Sequence, residues 1–166
     1  MLPLSPSQLL ELWEHGTARH PLDRGLLLFA QAAPDIPTEQ LADRPLGQCN
    51  AALMQLRWRS FGTRMPLWVD CMSCGERMEL ELMPDQLPPM FPPPESVEVA
   101  GQHFRCPTSR DLARVAGMSD LQAASHELLL GCSGDAALAS IEREQIEVAI
   151  EDADPWADLS LAFQCP

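Results

Sequence analysis

Two cysteines three positions apart, Cys71 and Cys74, are the residues best placed to do chemistry, and Gly75 follows them directly. In a Cys-x-x-Cys-Gly turn between two strands, both thiolates face one metal ion while backbone N–H groups of the turn hydrogen-bond to the sulfurs. Glycine supplies the positive φ such a tight turn requires. One turn of this kind gives two ligands, and a zinc ribbon needs a second. Cys165-Pro166 follows another alternating stretch and reads as the opening of that second turn, with the sequence stopping before the expected partner cysteine. The chain therefore reads as truncated after Pro166. The expected ligands of a structural Zn2+ are Cys71, Cys74 and Cys165. The fourth is missing, or is supplied by Cys106, Cys132 or one of His15, His20, His103 and His126. Two alternatives stay open. A thioredoxin-like redox pair is disfavoured by a position between strands and not at a helix start. A pair of unligated thiols is favoured by Met72 and Ser73, which stand where a proline and a small residue are more usual.

No catalytic residue is expected. The sequence holds no G-x-S-x-G, P-loop, H-E-x-x-H or dinucleotide-binding fingerprint. The four histidines are scattered, and Glu142, Glu144, Glu147, Glu151, Asp152 and Asp154 read as the solvated face of one helix. Cys49 falls on the apolar face of its helix, and Cys106 and Cys132 read as packing residues.

Charge narrows the partners. Eleven basic residues, all arginine, face 24 acidic ones, for a net charge of −13. Such a chain repels a phosphate backbone, so no nucleic-acid partner is expected, whereas a basic protein partner would be steered toward it. The longest apolar run, residues 25–33, is far short of the roughly 20 residues a bilayer requires. The N-terminus has neither the basic start nor the small-residue cleavage site of a secretory signal, so the expected location is the cytoplasm.

The elements that must position the cysteines follow from pattern. Ser7 reads as the cap of a first helix that Gly16 stops, and a second runs from Pro21 to the residues before Pro34. A short turn starts at Thr38, and an amphipathic helix with Leu46, Cys49, Leu53 and Leu56 on one face runs to Gly62. PLWVDCMSCGERMELEL reads as a hairpin carrying the cysteine turn at its tip. Pro84 to Pro94 is a stiff linker that cannot be helix or central strand. SVEVAGQHFRC reads as a second hairpin turning at Ala100-Gly101. Thr108 or Ser109 opens a helix, Ser119 caps another, and residues 136–152 form an acidic one. Residues 157–163 alternate as a final strand. The expected fold is α+β, with N-terminal helices, zinc-ribbon-like hairpins and further helices beside them. Its parts are a helical region (1–62), a β module with the linker (63–106), a helical region (107–155) and a final strand leading into the truncated second knuckle (156–166).

Several stretches together resemble the zinc-knuckle-bearing relatives of the T-even phage baseplate hub assembly chaperone, found with phage-tail-like contractile injection systems. They are LLELWEHGTARHPLDRGLLLFAQA, PLGQCNAALMQLRWRSFG, DCMSCGERMELEL, FRCPTSRDLARVAG and DADPWADLSLAFQCP. The resemblance implies a non-enzymatic accessory or scaffold protein of a contractile-tail baseplate, with baseplate or hub and spike proteins as partners. It also implies two knuckles, of which only Cys71, Cys74 and Cys165 have counterparts here. Gln48-Cys49-Asn50 stands where the family tends to have Arg-Arg-Asp, which leaves any polar contact at that helix start in doubt. Cys106 stands where an aliphatic residue is usual. The rival classes are a zinc-ribbon adaptor or transcription-type module and, less favoured, a thiol oxidoreductase. Only Arg64 and Arg77 lie near the knuckle, too few for a nucleic-acid-binding ribbon.

Overall fold

The computed structural model describes residues 3–134 and 143–162, within which helices and two small antiparallel hairpins form an α+β fold. The first helix, α1 (Pro6–Gly16), is capped by Ser5 and not by Ser7. The Ser5 hydroxyl accepts from the Gln8 N–H while the Gln8 side chain accepts from the Ser5 N–H, a reciprocal pairing that Ser7 has no equivalent residue to make. Helix α2 (Pro21–Ala32) starts on a proline and stops before Pro34, as Pro21 and Pro34 require. A single turn, α3 (Thr38–Leu41), leads to α4 (Leu46–Phe61), which ends at Gly62 with φ +86°.

Helix α4 is buried on two sides. Cys49 and Leu56 join Phe29, Ala32 and Leu41 in one apolar cluster, and Ala51 joins Leu82, Leu87 and Trp156 in another. That second cluster anchors the first hairpin, β1 (Met65–Asp70) and β2 (Arg77–Leu82), through Met65, Leu67 and Leu82. The register pairs Met65 with Leu82 and Asp70 with Arg77, so Met65, Leu67 and Val69 share one face with Met78, Leu80 and Leu82. The proline-rich stretch opens with a 3-10 turn at Pro84–Gln86 and is otherwise without helix or strand up to Glu95.

A second, separate hairpin follows, β3 (Val97–Val99) and β4 (Gln102–Phe104). Ala100 and Gly101 both take positive φ, +51° and +78°, the backbone demanded of a two-residue turn between right-twisted strands. This hairpin belongs to a third cluster, with Phe104, Leu129, Cys132, Ile146 and Ile150 at its centre. Helix α5 (Ser109–Val115) is capped by Thr108. Helix α6 (Leu121–Cys132) is capped by Asp120, not Ser119, because the Asp120 carboxylate accepts from both Gln122 and Ala123 N–H. Helix α7 (Arg143–Ala153) follows, and its expected start at residues 136–142 lies outside the described residues.

Residues 157–162 do not form the expected strand. Burial alternates briefly at Ala157 and Leu159, but no strand pairs with the segment. It is held instead by side chains of α4. Asn50 donates from Nδ2 to the Trp156 carbonyl at 2.9 Å and to the Ala157 carbonyl at 3.3 Å. Asp154, expected on a solvated face, is 3% exposed and accepts the Gly47 N–H at 3.0 Å. A residue 107 positions away thus occupies the anion-favouring end of α4, where Pro45 offers no side-chain cap. Burial pushes the Asp154 carboxyl above the usual carboxylate range, and the Gly47 N–H offsets part of that shift.

The same contact makes Gly47 intolerant of a side chain. A Cβ there would lie 1.6 Å from Asp154 Oδ1 and 2.5 Å from its Cγ. Asp154 is buried and cannot swing into solvent, so Gly47→Ala is expected to cost about 2–3 kcal/mol through overpacking and a lost cap. Urea denaturation of the variant measures this, and an unchanged midpoint would remove the packing account.

Candidate functional site

The cysteine turn closes the β1–β2 hairpin. The Cys71 N–H donates to the Glu76 carbonyl at 2.8 Å, and the Gly75 N–H donates to the Cys71 carbonyl at 2.8 Å. Gly75 sits at φ +74°, the conformation that selects glycine. Directly beneath the turn, Arg77 donates from Nε and Nη2 to the two Asp70 oxygens at 2.8 and 3.0 Å. That hydrogen bonding holds the Asp70 carboxyl below its ordinary range. Cys71 is half-buried and Cys74 exposed. Both thiols therefore sit on one glycine-completed turn whose ends are fixed by a ladder and an ion pair. Such a pair of donors suits two corners of a tetrahedral thiolate site.

Cys165 lies outside the described residues. Among the described residues, no group of three or more His, Cys, Asp and Glu side chains is arranged to hold a metal. The candidate fourth ligands sit elsewhere. Cys106 and Cys132 are buried in or beside the apolar clusters, as is the core residue Cys49, and burial pushes each of the three thiols up to about 11. His15 contacts the Glu11 carbonyl through Nδ1, and His20 accepts the Leu22 N–H as the cap of α2. His103 and His126 are exposed on β4 and α6.

These environments set an order of reactivity. In metal-free protein, iodoacetamide at about pH 8 is expected to label Cys71 and Cys74 at least tenfold faster than Cys49, Cys106 and Cys132, because burial shields these three and disfavours their thiolates, the nucleophilic form. Peptide mapping by mass spectrometry reads the order directly. Equal labelling of Cys132 would show that the third cluster opens readily.

The structure also assembles a charged centre that pattern alone did not reveal. Asp111 is 2% exposed and accepts from Arg105 at 2.6 and 2.8 Å, from the Thr108 N–H at 2.9 Å, from the Thr108 hydroxyl at 2.7 Å, and from Arg114. Arg105 also donates to the Gly131 carbonyl at 2.6 Å. One carboxylate thereby ties β4, α5 and α6 together. The signal was present as Thr108-x-x-Asp111, a capping box, whose Asp was not expected to recruit two arginines. Nearby, the Leu46 N–H donates to the Pro107 carbonyl and the Arg110 N–H to the Ala42 carbonyl, joining the turn before α4 to the start of α5.

Large apolar side chains are exposed at several points, Phe91 and Leu121 among them, and two groups lie on the elements described above. Between α1 and α2, Leu9, Leu12, Trp13, Leu27 and Leu28 line an open groove of about 280 Å³, and Trp13 is 73% exposed. At the hairpin, Trp68 is 68% exposed and Met72 fully so.

Searches against protein-family models, characterised proteins and solved structures give no significant match to this chain. No helix among the described residues is long and apolar enough to cross a membrane.

Proposed function

We propose that this chain is a non-enzymatic assembly or scaffold protein of a phage-tail-like contractile injection system, acting on baseplate, hub or spike proteins, with a structural zinc at the cysteine turn. The observation that carries the reading is exposed apolar surface presented on ordered elements: the Trp13 groove on α1 and α2, and Trp68 with Met72 on the hairpin. Large apolar side chains grouped in this way mark surfaces for other proteins. The five stretches that resemble the baseplate chaperone relatives supply the system.

Cys71 and Cys74, with Cys165, would hold the metal. When bound, zinc would supply cross-linking energy to a two-stranded hairpin, which is marginal in water by itself. The residues of the chain prepare the site: Gly75 allows the turn, and the Asp70–Arg77 pair clamps its base.

Deleting the gene in a strain that makes contractile particles is expected to leave sheaths and tubes without complete baseplates by negative-stain microscopy. Trp13→Glu should reproduce the defect in a chain that still folds. Wild-type particles in normal numbers would overturn the assembly role. For the metal, elemental analysis of the purified protein should find about one zinc per chain, lost in Cys71→Ser, with chelation lowering the melting temperature. Metal-free protein with an unchanged melt would refute the zinc site and leave the assembly role to the deletion experiment.

A further inference from the structure

Three arginines cluster on a protein whose net charge is −13. Arg105 and Arg114 converge on buried Asp111, and Arg110 grips exposed Asp43 at 2.6 and 2.9 Å. Three guanidinium groups against two carboxylates leave this seam positive. Arg44 follows Asp43 on the same turn; its Nη2 donates to Gln40 Oε1 at 3.1 Å and its buried Nε lacks a partner.

The donors are not equally used. All four Nη hydrogens of Arg105 are engaged, by Asp111, the Cys106 carbonyl and the Gly131 carbonyl. Arg114 spends one donor on Asp111, and Arg110 spends two on Asp43. Each guanidinium has five N–H donors, so both keep most of theirs for another acceptor. Both are accessible, with side chains 49% and 60% exposed. They stand four positions apart on α5, on one helical face and roughly 6 Å apart at Cβ. A helix carrying carboxylates four positions apart repeats that spacing.

We infer that the Arg110–Arg114 face of α5 is a docking surface for an acidic helix of a different protein. A short acidic helix meets the local positive field and the forked donors. A nucleic-acid duplex extends well beyond a Debye length of about 8 Å and meets the negative remainder of the chain. A second copy brings another −13 and is repelled for the same reason. This surface is separate from the cysteine turn and does not depend on the baseplate reading.

The test uses the intact protein and a fluorescein-labelled alanine-based helical peptide with glutamate at every fourth position, followed by fluorescence anisotropy. Binding is expected at low salt and should weaken at about 0.3 M salt. Arg110→Gln with Arg114→Gln should weaken it at least tenfold. Because Arg114 touches Asp111, Arg44→Gln with Arg110→Gln is the companion variant that leaves the buried carboxylate untouched, and it should weaken binding several-fold with an unchanged melt. Arg19→Gln with Arg64→Gln, both exposed and away from α5, should bind as the parent does. No binding of the peptide, equal binding of a glutamine version, tighter binding of a DNA duplex, or self-association through the same arginines would each overturn the inference.

Discussion

Asp111→Ala is expected to lower the unfolding free energy by roughly 3–5 kcal/mol, the cost of removing one partner from a buried charge network. The substitution strips Arg105 of a bidentate partner and leaves the Thr108 N–H and hydroxyl, both in a buried residue, without their acceptor. Arg105 is 41% exposed and can turn partly to water, which places the loss toward the lower end. Asp111→Asn should cost less, because its amide oxygen still accepts from Thr108. Urea denaturation at neutral pH gives both values, and a loss below about 1 kcal/mol for alanine would mean the network is incidental. Acid adds a second reading. Burial raises the Asp111 carboxyl, but hydrogen bonds from Arg105 and Thr108 outweigh it and hold the group well below the usual carboxylate range. Its stabilising contribution is therefore complete above the unfolded value of about 3.9 and is lost as pH falls through the depressed folded value. Asp154, raised by burial, acts in the opposite sense, its contribution being lost as pH rises through its folded value.

Trp156→Ala should be as damaging, at about 3–5 kcal/mol. The ring is 2% exposed and packs with Ala51, Leu82 and Leu87, while Nε1 lies 3.2 and 3.3 Å from the Pro88 and Pro89 carbonyls. One side chain therefore fastens the C-terminal segment, the proline-rich stretch and the base of the first hairpin to α4. Its removal should also raise proteolytic cleavage between residues 84 and 94, detectable by limited proteolysis and mass spectrometry. Trp156→Phe, which keeps the ring but not the N–H, should recover most of the stability. Equal losses for phenylalanine and alanine would assign the effect to the proline contact and not to packing.

How much of this was legible depends on where the determining partner lies in sequence. The limits of α2 and α4 follow from Pro21, Pro34 and Gly62, residues whose backbone restrictions act within a few positions. The hairpin bearing Cys71 and Cys74 is legible for the same reason, since alternation and a glycine turn are local. Caps lie one or two residues from the expected positions because neighbouring cap formers compete: the Ser5-x-x-Gln8 box was readable and favours Ser5 over Ser7, whereas only the geometry decides between Asp120 and Ser119. Residues 157–162 alternate without being a strand, because alternation reports burial on one side and supplies no pairing partner. The roles of Asp154 and Asn50 were not legible at all. An aspartate at the end of an acidic helix looks solvated until Gly47 is known to face it.

The Asp154–Gly47 contact also constrains how the protein is made. When α4 first leaves the ribosome, the carboxylate that completes its amino end has not yet been polymerised. At typical elongation rates the intervening 107 positions take about 5–20 s to add. During that interval the place that Trp156 takes against Ala51, Leu82 and Leu87 stays open, and apolar surface that the finished protein buries faces solvent.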